Sequence, residues 1–263
     1  MPTHLEIPIF GPASAIPAIA AGAARIELNA AGSYPAGGLT PSVDDAAQLK
    51  EAQVPVRIMI RSRGQPAEKG LRDFLYSDEE IDGMVQSIET FKALGAMRVE
   101  RGDGFVFGAL AETGSSGDTR VVLQAETVQR LVAAAKPYKT VFHRAFDDIV
   151  GCDDASAEEG ATEWEKTLEA LIQMGVDGIL TSGGPGNAAQ NISTLSEIMT
   201  LAGDSIEIIA GGGVRSRNVG ELCSQLNMDR GGGRTSWVHS SCLTGGKDEV
   251  DVTEAQTIVG KIR

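Results

Sequence analysis

The sequence predicts a single (β/α)8 barrel, a TIM barrel, spanning residues 1–263. Short apolar runs alternate with helical patterns eight times along the chain, and regular β-α alternation predicts a parallel sheet. Eight units in about 260 residues is the size of such a barrel. Three helix-to-strand junctions also look alike, because Gly22, Gly95 and Gly175 each follow a predicted helix, where a short turn needs glycine. The alternative, a doubly wound open sheet, would normally carry a Gly-rich phosphate turn after its first strand, and residues 11–14 do not form one.

The predicted strands are short runs rich in β-forming residues and bounded by Gly, Pro or polar residues. They span residues 5–10, 25–29, 55–61, 104–110, 139–145, 178–182, 206–210 and 236–240. The helices between them follow from apolar residues at helical spacing. Ser42 begins a helix that runs to about residue 52, and Ser77 and Thr162 each begin another with a capping box. The charged residues 98–103 are interpreted as a surface loop, and the acidic residues 153–160 as a solvated loop.

Composition excludes several classes of function. The formal net charge of -13 argues against a nucleic-acid-binding surface and against an anionic membrane face. No run of 18 apolar residues predicts a membrane span, and the N-terminus lacks the pattern of a signal peptide. The three cysteines, Cys152, Cys223 and Cys242, form no close pair, which is typical of a reducing compartment. We therefore expect a cytoplasmic protein.

Polar side chains gather at the predicted C-terminal ends of the strands, where barrels carry their chemistry. The candidate acid/base residues are Glu6, Glu27, His143 and Asp147, and the candidate ligand-binding residues are Arg61, Arg63, Arg144, Ser182, Gly211, Gly212, Gly213 and His239. We expect Arg61 and Arg144 to hold a small anionic ligand while Glu27 and His143 move protons. The alternative interpretation is an internal layer of Glu–Arg ion pairs that only fills the barrel.

The glycine triplet 211–213 follows the seventh predicted strand. Backbone N–H groups there can approach an anion closely, and the loops after strands seven and eight are where barrels often hold phosphate. Metal motifs are missing from the sequence: His239 and Cys242 lie on one loop, but the sequence shows no third ligand. The sequence therefore predicts an anion site and no metal site.

Several runs of the chain together resemble the CutC family of copper homeostasis proteins, which have a (β/α)8 barrel. They are RIEL at 25–28, GGLTPS at 37–42, MIR at 59–61 with RG at 63–64, YSD at 76–78, VFGAL at 106–110, FHRAFD at 142–147, ILTSGG at 179–184 and GGGV at 211–214. They occur in family order over nearly the whole chain. The resemblance implies a cytoplasmic homo-oligomer linked to copper tolerance, with copper as a possible ligand.

The chain departs from the family pattern where soft ligands would be expected. Pro8, Asn29 and Leu75 stand at positions where the family usually has Cys, and residues 98–103 and 152–161 look like insertions. Cu(I) prefers thiolate and thioether ligands. We therefore expect weak copper binding, with any Cu(I) held at an exposed Cys152 or Cys242 and not at the barrel mouth.

Two functional hypotheses follow. The first is a CutC-like protein of copper homeostasis with a polar Glu/Arg/His site at the barrel mouth. The alternative is an enzyme, an isomerase, lyase or hydrolase that uses metal-independent acid/base catalysis on a small anionic or sugar-like metabolite. The sequence does not choose a substrate or a reaction.

Overall fold

Eight parallel strands close into a barrel, as the sequence predicts. The structure is a computed structural model, and it describes residues 3–68, 71–114, 119–152, 161–228, 235–245 and 248–262. The barrel strands are β1 (Thr3–Phe10), β2 (Arg25–Asn29), β3 (Val56–Met59), β4 (Gly104–Phe107), β7 (Lys139–Phe142), β8 (Gly178–Thr181), β9 (Glu207–Ala210) and β10 (Ser236–His239). They pair in chain order, and β10 closes on β1 with Glu6 beside His239. The predicted fold class is therefore confirmed.

The helices lie between the strands on the outside of the barrel. They are α1 (Ala15–Ala20), α2 (Val43–Ala47), α3 (Asp78–Ala93), α4 (Ala125–Ala135), α5 (Ala145–Cys152), α6 (Glu163–Met174), α7 (Ile192–Ala202), α8 (Val219–Gln225) and α9 (Val252–Ile262). Both predicted capping boxes are present, at Ser77 for α3 and at Thr162 for α6. Gly175 ends α6 in the left-handed conformation with φ 78°, as its position after the helix predicts. No helix in the described part of the chain combines the length and apolarity needed to cross a bilayer.

The fourth predicted strand is too long. The observed strand β4 ends at Phe107. Leu110 instead begins an antiparallel hairpin of β5 (Leu110–Thr113) and β6 (Arg120–Leu123), which lies outside the barrel sheet. The Leu110 N–H donates to the carbonyl of Phe74, which draws the chain out of the barrel wall. One apolar run thus serves two sheets, and the sequence pattern does not mark the break.

The fifth predicted strand, 139–145, also ends early. The strand stops at Phe142, and Ala145 begins α5, whose first turn contains Asp147 and Asp148. Acidic residues favour the first turn of a helix because the helix dipole is positive there. Helix α2 is likewise shorter than predicted: it ends at Ala47, and residues to Ala52 form turns.

The charged stretch 98–103 is a loop, as the sequence predicts, and Val99 and Glu100 are exposed, but Asp103 at its end is buried. Asp103 is 0% exposed and accepts hydrogen bonds from the Arg101 guanidinium at 2.7 and 2.6 Å. Arg101 also donates to the carbonyls of Leu49, Lys50 and Ala52. The stretch therefore ties the turns after α2 to the barrel wall. The predicted acidic loop at 153–160 lies outside the described residues.

Two apolar clusters stabilise the barrel. The larger one packs the outward faces of the strands against the helices. The smaller one fills the interior of the barrel and consists of Met59, Val106, Val141, Leu180 and Ile209, with Trp237 packed against it. These interior residues come from β3, β4, β7, β8, β9 and β10, so the interior next to β1 and β2 is left to polar side chains. That asymmetry positions the candidate site.

Candidate functional site

A pocket of about 220 Å³ opens at the C-terminal ends of the strands. Seven of the predicted residues line it: Glu27, Arg61, His143, Arg144, Gly212, Gly213 and His239. Phe10, Tyr34, Met59, Phe74 and Leu180 add an apolar wall. The other five predicted residues, Glu6, Arg63, Asp147, Ser182 and Gly211, do not line the pocket.

Glu6 lies behind His239, as part of an ion-pair network inside the barrel. Its carboxylate accepts a hydrogen bond from Arg25 Nε and pairs with His239 Nδ1 at 2.7 Å. Arg25 also contacts Glu207, at 2.8 Å. Burial opposes ionisation of Glu6, but Arg25 and His239 outweigh it and lower the pKa of Glu6 to about 2. The layer of ion pairs that the sequence offers as an alternative is therefore present, and its cation is Arg25, which the sequence did not single out.

Glu27 is the carboxylate on the pocket side of this network. It is 3% exposed, and Oε1 accepts a hydrogen bond of 3.1 Å from the amide of Asn29. Its other oxygen, Oε2, is buried and has no hydrogen-bond partner among the described residues. Burial raises the pKa of Glu27, and the charge of Glu6 adds to that rise. His239, on the same wall, has a raised pKa because Glu6 and Glu27 outweigh the effect of its burial.

His143 is a neutral imidazole. Its Nδ1 accepts a hydrogen bond from the Ala145 N–H at 3.2 Å, so the proton lies on Nε2. Burial, with the positive charges of Arg61 and Arg144, lowers the pKa of His143 to about 3. Nε2 is buried without a partner among the described residues. The geometry therefore makes His143 a hydrogen-bond donor to whatever occupies the pocket.

Arg61 and Arg144 reach the pocket with their charges already paired. Arg61 contacts Asp73 at 2.6 Å and also donates to the carbonyls of Ala36 and Gly38. Arg144 contacts Asp147 at 2.7 Å, and its side chain is 43% exposed. Neither guanidinium is therefore an uncompensated charge.

Asp147 positions the loop after β8. Its carboxylate accepts hydrogen bonds from Thr181 Oγ1 at 2.5 Å and from Ser182 N and Oγ at 2.9 and 2.7 Å. With the Arg144 contact, these bonds occupy both of its oxygens. The single hydroxyl hydrogen of Ser182 is shared between Asp147 and the carbonyl of Gly184, which also lies 2.7 Å from Oγ. Both residues lie beneath the pocket rim and hold it in shape.

Arg63 and Gly211 lie away from the pocket. Arg63 contacts Glu80 at 2.6 Å and stacks over the Tyr76 ring. A Cβ on Gly211 would lie 2.6 Å from Leu180, so this glycine permits close packing between the strands. Of the triplet, only Gly212 and Gly213 face the ligand space.

Arg215 is a pocket residue that the sequence reasoning missed. Its guanidinium donates to Ser240 Oγ at 3.2 Å and to Ser241 Oγ at 3.1 Å. No carboxylate forms a salt bridge with it in the described ranges of the chain, unlike Arg61 and Arg144. Its position two residues after the glycine triplet was the available signal, because that loop is where barrels often hold phosphate.

The cysteines do not form a Cu(I) site at the mouth. The prediction of an exposed Cys242 is wrong. Cys242 is 0% exposed, and burial raises the pKa of its thiol to about 11. Cys152 is half-buried at the end of α5, and Cys223 packs in the core, as predicted. The only sulfur that lines the pocket within the described residues is the thioether of Met59. Of the positions where the resemblance leads one to expect Cys, Pro8 lines the pocket and Asn29 is buried beside Glu27, so the donor set does not fit Cu(I).

Comparisons with known proteins agree with the sequence motifs. The model of the CutC family matches residues 3–230. A Caenorhabditis elegans copper homeostasis protein cutC homolog is 32% identical over 93% of this chain and 82% of its own length. The human homolog is 35% identical over 82% of this chain and 67% of its own.

Solved structures show the same barrel fold. The copper homeostasis protein CutC of Streptococcus agalactiae superposes with a TM-score of 0.70 at 24% identity, covering 92% of this chain and 99% of its own. A phosphoribosyl anthranilate isomerase from Thermococcus kodakaraensis, with a TM-score of 0.58 at 14% identity and 99% coverage of both chains, shares the fold alone. With its closed barrel, its strand-end motifs and these relatives, the chain belongs to the CutC family.

Proposed function

We propose that this chain acts in copper homeostasis, as its named relatives do, and that its functional site is the polar pocket at the barrel mouth, which binds a small anionic ligand. One observation carries the second part. Arg215 brings to the pocket a guanidinium without a salt bridge in the described part of the chain, next to the glycine turn. The pocket thus has positive charge available on one wall.

The glycine turn adds backbone donors on the same wall. The N–H groups of Gly212 and Gly213 donate to no acceptor among the described residues. Both glycines have positive φ, 87° and 72°, which side chains with a Cβ rarely adopt. Free backbone N–H groups beside an arginine are a common arrangement for binding phosphate or carboxylate. This supports an anion held at the loops after β9 and β10.

The rest of the pocket suits a small polar ligand. His143 Nε2–H can donate to a ligand oxygen, and Glu27 Oε2 can accept from a hydroxyl group. Drug-sized sites usually measure roughly 300–1,000 Å³. A pocket of about 220 Å³ admits a smaller compound of a few carbons. Because Glu6 and Asp147 are occupied by internal partners, binding is better supported than acid/base turnover by the predicted residues.

A link to copper through this pocket does not require copper to be bound there. The pocket lacks thiolates in its described lining, so Cu(I) is a poor fit. We therefore assign the mouth to the anionic ligand. This assignment separates the family's role in copper homeostasis from direct Cu(I) ligation at the barrel mouth.

Thermal-shift and calorimetric titrations test the proposal. The probes are inorganic phosphate, glycerol phosphate and citrate, with glycerol as the uncharged comparison. A charge-assisted contact contributes roughly 1.5–3 kcal/mol, so Arg215→Gln should weaken binding about 10- to 150-fold. The Arg63→Gln variant is the matched control, because Arg63 lies outside the pocket. Anion binding that is equal in Arg215→Gln and the wild type, or no binding of any probe, would contradict the proposal.

A further inference from the structure

Three potential metal ligands meet on β1, β2 and β10, where Glu27 and His239 line the pocket and Glu6 lies behind His239. One ligand atom from each of Glu6, Glu27 and His239 lies within 4.8 Å of the other two. Strand register brings them together, because Glu6 pairs with His239 across β1 and β10, and Glu27 lies beside Pro8 across β1 and β2. Ligands at about 2.1 Å from one ion are at most about 4.2 Å apart, so the three groups need to move closer by a small distance. Glu6 keeps Oε2 on Arg25 and offers the ion Oε1, which contacts His239 Nδ1 in the absence of the ion.

Glu27 is the residue that points to a ligand. It is almost fully buried, yet its Oε2 has no hydrogen-bond partner in the part of the chain that the structure describes. A buried polar atom without a partner is destabilising by roughly 1–3 kcal/mol. Asn29 holds Oε1 by a hydrogen bond and so fixes the orientation of the carboxylate. Because Glu27 and His239 line the pocket, an ion can reach them from solvent.

The charges around this cluster leave room for a cation. Arg25 pairs with Glu6 and Glu207, and these contacts account for two carboxylates. Glu27 has no salt bridge to any described residue. A nearby protonated imidazole or a proton on the carboxyl group can balance its charge, and a metal ion replaces such protons when it binds. Arg57 is buried nearby and acts on Glu6 and Glu207, so Glu27 is the carboxylate of this group that has no salt bridge among the described residues.

We propose that Glu6, Glu27 and His239 bind one divalent transition-metal ion at the barrel mouth. Two carboxylates and an imidazole are hard to borderline donors, which suit ions such as Zn²⁺ or Mn²⁺. Cu(I), which prefers sulfur, is a poor fit to the same donor set. Three protein ligands leave an open coordination position that faces the pocket. That position is where an oxygen of a small ligand would complete the coordination sphere.

Calorimetric titration of EDTA-treated, dialysed protein with Zn²⁺, and separately with Mn²⁺, tests this site. We expect one ion per chain and the release of protons, measured in buffers of different ionisation enthalpy. Glu27→Gln and His239→Gln should each weaken Zn²⁺ binding at least tenfold. Asn29→Ala should weaken it about 10- to 100-fold, as loss of a group that orients a ligand does. Glu126→Gln, in an exposed carboxylate of α4, and Cys152→Ser should bind as the wild type does.

X-ray absorption of the Zn²⁺-loaded wild-type protein provides a test that does not depend on how a variant folds. The expected spectrum shows nitrogen and oxygen neighbours without sulfur. Sulfur scattering, failure to bind either ion, or Zn²⁺ binding that survives Glu27→Gln and His239→Gln together would overturn the proposal. These titrations contain no phosphate or carboxylate ligand, so their failure is distinguishable from failure of the Arg215-dependent anion site.

Discussion

Replacing His143 by Asn should make the protein less sensitive to acid. The pKa of His143 is lowered from 6.5 to about 3, because the imidazole is buried and lies near Arg61 and Arg144. Between these two pH values the unfolded chain binds a proton at this residue and the folded chain does not. Stability from this residue is therefore complete above pH 6.5 and is lost as the pH falls toward 3.

The size of the effect follows from the shift. Each pH unit in this window corresponds to about 1.4 kcal/mol, so acidification from pH 7 to pH 4.5 should remove roughly 2–3 kcal/mol through His143. Asn is the suitable replacement because its amide oxygen can accept the Ala145 N–H that Nδ1 accepts now. It cannot take up a proton in this pH range. The variant keeps the local hydrogen bond and removes only the titration.

Urea unfolding at pH 7 and pH 4.5 measures the prediction. The loss of unfolding free energy between the two pH values should be roughly 2–3 kcal/mol smaller in His143→Asn than in the wild type. The carboxylates titrate in both proteins, so their contribution drops out of this comparison. His4→Asn is the matched control, because the pKa of His4 is also lowered but this residue is only partly buried. An equal loss in the wild type and in His143→Asn would refute a neutral, buried imidazole in the pocket wall.

Three further predictions concern the fold and copper. Arg101→Ala removes the salt-bridge partner of the fully buried Asp103 carboxylate, which then keeps only the N–H groups of Val56 and Arg98, and should cost about 3–5 kcal/mol in urea unfolding. Arg130→Ala, in an exposed ion pair, should cost no more than about 1 kcal/mol. Competition with a Cu(I) chelator should show no tight one-to-one binding, and the weak binding that remains should disappear in Cys152→Ser. Gly108→Ala should destabilise the protein by about 1–3 kcal/mol, because a Cβ there would lie 2.6 Å from the His143 ring. Tight Cu(I) binding that survives Cys152→Ser, or a stability change near zero in Arg101→Ala or Gly108→Ala, would contradict the corresponding prediction.

The sequence predicts the barrel because local signals repeat. Helix caps at Ser77 and Thr162, and the left-handed Gly175, depend on neighbours within a few residues, so one short window contains the whole interaction. The strand ends were also readable, since the barrel topology places them on one face. The predicted ends of strands were wrong where a contact distant in sequence sets them. Leu110, for example, belongs to a hairpin outside the barrel and not to the fourth barrel strand.

The candidate site was predictable in outline but not in its pairings. Arg25 and Glu27 are two residues apart on β2 and therefore face the same side, so the sequence contained the hint that Arg25 belongs to the interior. Which carboxylate it contacts depends on the register of β1 and β9, which no local pattern encodes. In the same way, Arg144 has a salt bridge to Asp147, whereas Arg215 bonds to serines and has no salt bridge to a described residue. Only the three-dimensional arrangement distinguishes these two arginines.

Anomalous diffraction from crystals soaked in selenate, a heavier analogue of sulfate, locates an anion bound at the barrel mouth. An anion site at the mouth predicts an anomalous peak within hydrogen-bond distance of the Arg215 guanidinium and of the Gly212 or Gly213 N–H. That peak should be missing from Arg215→Gln crystals soaked in the same way and present in Arg63→Gln crystals. A pocket without a peak, or a peak that persists in Arg215→Gln, would contradict the account.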